Sequence, residues 1–351
     1  MIRFDAIVVG AGPAGSVCAA TLARKGRHVL LVDRAKFPRD KVCGDCLNPS
    51  VWPVLERLEL HERILALPHA KIDTIAYEAI GGIRVRFRVP DDPFPEMTIK
   101  RRDFDASLVA RAVELGVDFR DGVSVLRVSE GWKIETDAGT FSAPVLVAAD
   151  GRNSFIARAT NRIGPAPRDR VALQCHGPRP NDHGSEVRMF FRKDGYGGTA
   201  LLNEREINLC LVTTPERVES VRTAAMRDFS LPDHVEWRTI APLSREDASD
   251  VARDGLFLVG DSARVVEPFT GEGIYYALRS GELAALAVVE NDEAGYRRLH
   301  SEMYRGRLWI NRLARLAVTH PRITSAAIAG SRVLPLPLHW LTHRVLRVSQ
   351  T

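Results

Sequence analysis

The chain has 351 residues, 45% of them hydrophobic, with a mean hydropathy of −0.12 and a formal net charge of +5. That length supports a large core in one big domain or two intertwined ones. No apolar run reaches the ~20 residues of a spanning helix, and cysteines at 18, 43, 46, 175 and 210 do not read as a disulfide framework.

Residues 4–9 (Phe-Asp-Ala-Ile-Val-Val) predict a buried strand that starts almost at Met1 and leaves no room for a signal peptide, so the expectation is a cytoplasmic protein. Gly10-Ala11-Gly12-Pro13-Ala14-Gly15 comes next, then an Ala-rich helix capped by Gly26, then a strand over 29–32 ending at Asp33. This is G-x-G-x-x-G in its required setting of strand, turn and helix, with an acid 18 residues after the last glycine. Gly10 makes the tight turn, Gly12 lets the backbone approach a pyrophosphate, and Gly15 lets helix pack on strand. The helix N-terminus supplies N–H groups and a positive dipole end. Asp33 can accept hydrogen bonds from an adenosine ribose and disfavours a 2′-phosphate. A bound dinucleotide is expected, FAD or NAD.

Lys36-Phe37-Pro38-Arg39-Asp40-Lys41-Val42-Cys43-Gly44 then runs into a C-x-x-C with Cys46. The pair lies after a loop rather than opening a helix, so thioredoxin-like redox use is not expected. Residues 72–100 and 165–245 alternate like strands. In 83–89 the alternation puts three arginines on one face and Ile, Val, Phe and Val on the other, which reads as a solvated sheet face. Val187-Arg188-Met189-Phe190-Phe191 and Ile207-Asn208-Leu209-Cys210-Leu211-Val212 also predict strands, with Gly195-Tyr196-Gly197-Gly198 between them.

Val145-Leu146-Val147-Ala148-Ala149 is a buried strand ending in Asp150-Gly151-Arg152-Asn153-Ser154. Leu256-Phe257-Leu258-Val259 ends in Gly260-Asp261-Ser262-Ala263, and Pro268-Phe269-Thr270-Gly271-Glu272-Gly273 precedes a helix from Ile274. Gly271 and Gly273 open that helix with their N–H groups free. Beside the edge of a flavin, those groups and the helix dipole would stabilise the charge of its reduced form. A simple NAD dehydrogenase does not need these two later motifs, and a cofactor as long as FAD does.

The tail is the charged part. Residues 294–351 hold ten Arg, no Lys and one acid, Glu302, hence +9, which leaves −4 for the first 293. Such asymmetry points either to an anionic partner or to a solubilising basic tail. With no nucleic-acid motif present, a membrane surface, an acidic carrier protein or an anionic substrate is expected rather than DNA. Periodicity predicts a helix over 296–319 with Leu299, Met303, Ile310, Leu313 and Ala317 on its apolar stripe, and Pro321, Pro335 and Pro337 are expected to break the remainder of the chain. Leucines and Trp340 interleaved with Arg and His in that remainder form either a core-covering cap or an interfacial anchor.

On these motifs the chain resembles the p-hydroxybenzoate-hydroxylase-type flavoproteins, and within them the geranylgeranyl-reductase-like group. The resemblance implies an α/β fold: a Rossmann-type FAD-binding domain (1–71, 101–164 and 246–290), an inserted, mostly antiparallel sheet domain that covers the flavin (72–100 and 165–245), and a C-terminal basic helical segment (291–351). It implies that Asp261 binds a ribityl hydroxyl and that Asp150-Gly151 sits near the pyrophosphate. It also implies that Arg102, in Arg102-Asp103-Phe104-Asp105, contacts FAD and that Cys43 lies next to the flavin. A substrate-channel motif of the group has its Tyr at Tyr196, with Gly198 where its Trp would fall.

The expected FAD contacts, non-covalent, are Gly10, Gly12, Pro13, Ala14, Gly15, Asp33, Arg34, Cys43, Gly44, Arg102, Asp150, Gly151, Gly260, Asp261, Pro268, Gly271, Glu272, Gly273 and Ile274. Cys43 and Tyr196 are the candidate catalytic residues, and no His/Cys cluster has metal-ligand spacing. No second G-x-G-x-x-G comes after a strand, so NAD(P)H is expected to dock transiently on the flavin side. The expected activity is reduction of C=C bonds in an apolar, isoprenoid-like small molecule. The alternatives are hydroxylation of an aromatic or polyketide-like lipid and a non-enzymatic flavin or lipid carrier. A halogenase signature, Trp-x-Trp-x-Ile-Pro, is absent from all five Trp contexts, at 52, 132, 237, 309 and 340.

Overall fold

The structure, a computed structural model, describes residues 3–90, 95–167 and 169–346. The end of the basic tail, 347–351, lies outside the described residues. A six-stranded sheet carries the first motif. Its order is Ala252–Arg253, Leu256–Leu258, Val145–Ala148, Ala6–Val9, Val29–Asp33, Asp118–Asp121, parallel except at its first edge. In the middle, Ile7 pairs with Leu30 on one side and Leu146 on the other. All four residues of the Ala6–Val9 strand are buried, because both faces are covered. Helices Pro13–Arg24, Arg101–Glu114 and Gly273–Glu290 cover one face. A three-stranded meander, Val125–Ser129, Lys133–Thr136 and Gly139–Ser142, covers the other.

The second large sheet has seven strands, in the order Arg238–Ile240, Val171–Pro178, Glu206–Thr213, Gly195–Leu201, Glu186–Arg192, Thr74–Glu78, Arg84–Arg88. It is antiparallel except where Glu186–Arg192 pairs with Thr74–Glu78. Strand alternation sorts its residues. Leu209 and Leu211 pack under the Val218–Asp228 helix with Leu173, Phe190 and Val221. Asn208, Cys210 and Val212 turn to the opposite face, as do their cross-strand partners Ala200, Gly198 and Tyr196. The 83–89 arginines divide: Arg84 pairs with Glu78 and Asp182, Arg86 with Glu186, while Phe87 is buried.

The C-terminal segment departs from expectation. The predicted 296–319 helix is two, Glu293–Met303 and Leu308–Thr319, broken at Gly306, whose φ of +74° is left-handed. The break resets the helical phase. Ile310, Ala314 and Val318 form the buried stripe, and Leu299 and Leu313 are exposed. Of the later prolines, Pro321 and Pro335 do mark breaks, since helices end at Thr319 and Gly330 ahead of them, whereas Pro337 breaks nothing. Pro321 opens the Pro321–Gly330 helix and Pro337 sits in the first turn of Leu336–Leu346, where a missing N–H costs nothing. Among the described residues no helix is long and apolar enough to cross a membrane.

Candidate active site

A single cavity of about 1030 Å³ runs from the first glycine turn to the face of the seven-stranded sheet. Gly10, Gly12, Pro13, Ala14, Asp33, Arg34, Cys43, Gly44, Asp150, Gly151, Gly260, Asp261, Pro268, Gly271, Gly273 and Ile274 all line it, and so does Tyr196. Residues scattered over most of the chain are thus brought to one wall.

At the first turn, Gly10 has a φ of +104°, and a Cβ there would overlap the carbonyl of Ala149. The Asp33 carboxylate accepts from the N–H of Ala11 at 2.7 Å and of Ala35 at 2.9 Å, which holds the turn against the second strand. A carboxylate has lone pairs beyond these two bonds. A Cβ on Gly12 would meet only the Arg39 guanidinium, at 3.6 Å, so Gly12 is glycine for the sake of whatever fills the cavity. Gly15 faces away from the cavity: a Cβ there would overlap the Gly10 carbonyl oxygen, so its role is helix-on-strand packing. Gly281 does the same between helices, where a Cβ would overlap the Ala14 carbonyl oxygen. No sequence motif marks that position.

Cations line this end. Arg34, Arg39, Lys41, Arg101, Arg152 and Arg158 reach the cavity wall. Burial, with Arg101 and Arg39 close by, lowers the Lys41 ammonium to about 8. Arg152 contacts Asp261 at 3.2 Å, while its Nε and Nη1 are buried without a hydrogen-bond partner. Asp150 Oδ2 accepts from Phe155 N–H at 2.6 Å and Ile156 N–H at 3.1 Å, and its buried Oδ1 has no partner. Orphaned buried guanidinium nitrogens beside a glycine-lined wall fit a long, anionic, hydrogen-bonding cofactor such as FAD.

Besides Gly15, two expected contacts lie elsewhere. Arg102 points outward, half-exposed and 3.9 Å from Asp40, whereas its neighbour Arg101 is the buried arginine on the cavity. Arg101 forms a two-pronged pair with Asp105, 2.7 Å on each prong, and Asp105 also sits 3.0 Å from Arg39. Only Arg102 has the motif spacing, yet helical phase turns Arg101 to the cavity side, because an i, i+4 pair with Asp105 shares one face. The Glu272 side chain is likewise turned away. It is fully buried in a pair with Arg307 and receives a 3.2 Å hydrogen bond from the Tyr276 hydroxyl, so only its backbone neighbours Gly271 and Gly273 reach the cavity. The first intrahelical bond of the Gly273–Glu290 helix is Tyr276 N–H to the Glu272 carbonyl, at 3.2 Å. The N–H groups of Gly273 and Ile274 therefore have no helical acceptor.

The far end is walled by side chains: Val187, Met189, Tyr196, Val212, Leu243 and Phe269. Tyr196 is buried, and its hydroxyl donates to Glu267 Oε1 at 3.0 Å. Arg170 grips the same carboxylate with two bonds, of 3.1 and 3.0 Å. Burial and the Glu267 charge push the Tyr196 hydroxyl well above its ordinary value. Cys43 is fixed through its carbonyl, which accepts from Asn208 Nδ2 at 2.8 Å and from the Cys210 thiol at 3.2 Å. Burial pushes the Cys43 thiol up, partly opposed by the Arg101 guanidinium. Behind it, Asp45 is buried in a left-handed conformation, 3.0 Å from His176 Nε2, and accepts the Arg101 N–H at 3.2 Å. Burial raises the Asp45 carboxyl and His176 counters it. This clamp was invisible in sequence, since Asp45 and His176 are 131 residues apart. Cys46 also lines the cavity. Among the described residues no group of three or more His, Cys, Asp or Glu is arranged to hold a metal ion.

Comparison with known proteins agrees with this geometry. The model of the FAD binding domain family matches residues 3–173 and 192–315. The menaquinone reductase of Mycolicibacterium smegmatis is 30% identical over 81% of this chain and 76% of its own length. Digeranylgeranylglycerophospholipid reductase 2 of Methanopyrus kandleri is 27% identical over 83% of this chain and 79% of its own. The solved structure of the flavin-dependent brominase Bmp2 superposes with a TM-score of 0.78 at 19% identity, covering 99% of this chain and 95% of that one. At that identity the likeness is one of fold.

Proposed function

The chain belongs to the FAD binding domain family and is an FAD-dependent oxidoreductase, and from that premise we propose that it takes electrons from NAD(P)H and reduces a carbon–carbon double bond in an apolar, isoprenoid-like lipid. The carrying observation is the continuity of the cavity: the cationic, glycine-lined end opens into a chamber walled by Val187, Met189, Val212, Leu243 and Phe269. Such walls recognise an aliphatic chain by burial rather than by hydrogen bonds. Two relatives support the reading, because menaquinone and a digeranylgeranyl lipid, the molecules in their names, both carry isoprenoid chains.

Bound FAD supplies the hydride chemistry. Gly10, Gly12 and the first turn of the Pro13–Arg24 helix would hold its pyrophosphate, with Arg39 and Arg101 beside them; Asp261 would hold the ribityl chain. The free N–H groups of Gly273 and Ile274 place a positive dipole end where the flavin ring would lie. Phe269 and the sheet exclude water from the reacting bond. A proton must reach the second carbon of the double bond, and Cys43 is the source we assign. Its burial keeps the thiol protonated at neutral pH, and the Asn208 and Cys210 bonds fix its backbone. The Tyr196 proton is committed to Glu267, which gives Tyr196 the role of a wall and anchor.

The test is anaerobic. The enzyme is reduced with NAD(P)H, then mixed separately with an unsaturated isoprenoid lipid and with dioxygen. Flavin reoxidation by the lipid alone is the expected result. Reoxidation and product formation only with dioxygen would replace this reading with a monooxygenase. No reduction by NADH or NADPH would leave a flavin or lipid carrier.

A further inference from the structure

We propose that the outer surface of the C-terminal helices docks on a bilayer with anionic headgroups. The Leu308–Thr319 helix buries Ile310, Ala314 and Val318, yet it carries a second apolar stripe of Trp309, Leu313 and Leu316, at i, i+4 and i+7, which faces water. Trp309 stacks on Trp340 of the Leu336–Leu346 helix, with ring centroids 5.8 Å apart, and both rings remain exposed. One turn before Trp340 on the same helix, Leu336 is exposed as well, and the connection leading into it leaves Val333 89% and Leu334 63% accessible. The stacked rings thus join two helices and a connection into one apolar patch, and a patch of this kind marks an interaction site.

The charge these helices carry beyond Glu302 is of one sign. Arg312 and Arg315 flank the helical stripe, and Arg322, Arg332 and Arg344 are exposed on the neighbouring turns. After Glu302 the sequence contains no acid. A bilayer uses both features at once, because arginines meet phosphate headgroups while Trp, Leu and Val enter the acyl boundary. A soluble acidic carrier protein would engage the arginines and leave Val333 and Leu334 without a role. The inner side of these helices fits the same arrangement: Val318, Ile328 and Leu338 pack in one cluster with Tyr77, Met189 and Phe269, the last two on the chamber wall. The docked face therefore lies over the apolar end of the cavity. The inference goes beyond the proposed reaction and does not depend on it, since vesicle binding is read without turnover.

The FAD-loaded, full-length protein is floated with vesicles of phosphatidylcholine alone and of phosphatidylcholine with phosphatidylglycerol. Binding to the anionic vesicles, weakened as salt rises, is the expected result. Val333→Asp with Leu334→Asp should cut the floated fraction about tenfold with flavin content and circular dichroism unchanged. Arg312→Glu with Arg315→Glu should remove the preference for phosphatidylglycerol. The proposal is overturned if the wild type fails to float with either vesicle, if it floats equally with both, or if the Val333/Leu334 variant floats like the wild type. Capture by an acidic carrier protein in place of flotation overturns it too.

Discussion

At one end of the cavity, between the cationic side chains, stand stretches of glycine-bearing backbone: the turn through Gly10 and Gly12, the first turn of the Pro13–Arg24 helix, and Gly271 and Gly273 ahead of the Gly273–Glu290 helix. At the other end the walls are side chains standing on a sheet, Met189, Tyr196 and Val212 among them, with Phe269 opposite. A wall made of backbone admits few residue types at fixed spacings, so it is intolerant of substitution and leaves a motif. A wall made of side chains needs only apolar volume on one strand face, so it tolerates exchange and leaves an alternation shared with any sheet.

The largest expected effect is at the backbone end. Gly12→Val adds atoms that meet little protein, with only Arg39 near, so the fold should persist while the cofactor is shut out. Purified G12V should be colourless, with a thermal midpoint equal to that of the wild-type apoprotein; a yellow variant at full FAD occupancy would break the contrast. Cys43→Ala comes next. We expect kcat for lipid reduction to fall about 100-fold, the size of a lost proton donor, with flavin reduction by NAD(P)H preserved and Cys43→Ser partly restoring turnover. Equal losses in both half-reactions would make Cys43 structural. Asp261→Ala should weaken FAD binding by about 1–3 kcal/mol, read by titrating the apoprotein, because a charged acceptor is lost.

At the side-chain end, Gly198→Leu would press on Met189 Sδ, which a new Cβ would approach to 2.9 Å. Because Met can shift, FAD should stay bound and the substrate KM should rise about fivefold. A colourless G198L would mean the two ends are not separable. The smallest effect is on pH. Lys41, lowered to about 8, is charged below that pH and neutral above it, beside Arg39, Arg101, Arg152 and Asp261. FAD affinity should therefore be flat below about pH 8 and decline above it by less than about tenfold per pH unit. Lys41→Met should abolish that slope.

Legibility in the sequence divides along the same line. The first motif and the Gly260-Asp261 and Gly271–Gly273 segments were legible because each sets a backbone path that favours glycine: Gly10 and Gly271 have φ of +104° and +68°. The sheet was legible as alternation, and its cavity face is set by parity once the register pairs Tyr196 with Val212 and Gly198 with Cys210. Partners far apart in sequence were not legible. Tyr196 meets Glu267 across 71 positions, and Glu272, which sits in a cofactor motif, is claimed by Arg307. Adjacent arginines, 101 and 102, differ only by their angle around a helix, and the buried Asp105 one turn on distinguishes them. The C-terminal stripe was misplaced because a single glycine, Gly306, resets the phase.

Whether the glycine-lined end serves an apolar chamber built for reduction is decided by the mass of the product. The enzyme turns over with NAD(P)H and an unsaturated isoprenoid lipid under isotopically labelled dioxygen. The expected product is heavier by two hydrogens and free of labelled oxygen. A product that carries one labelled oxygen atom would refute reduction as the chemistry of this site.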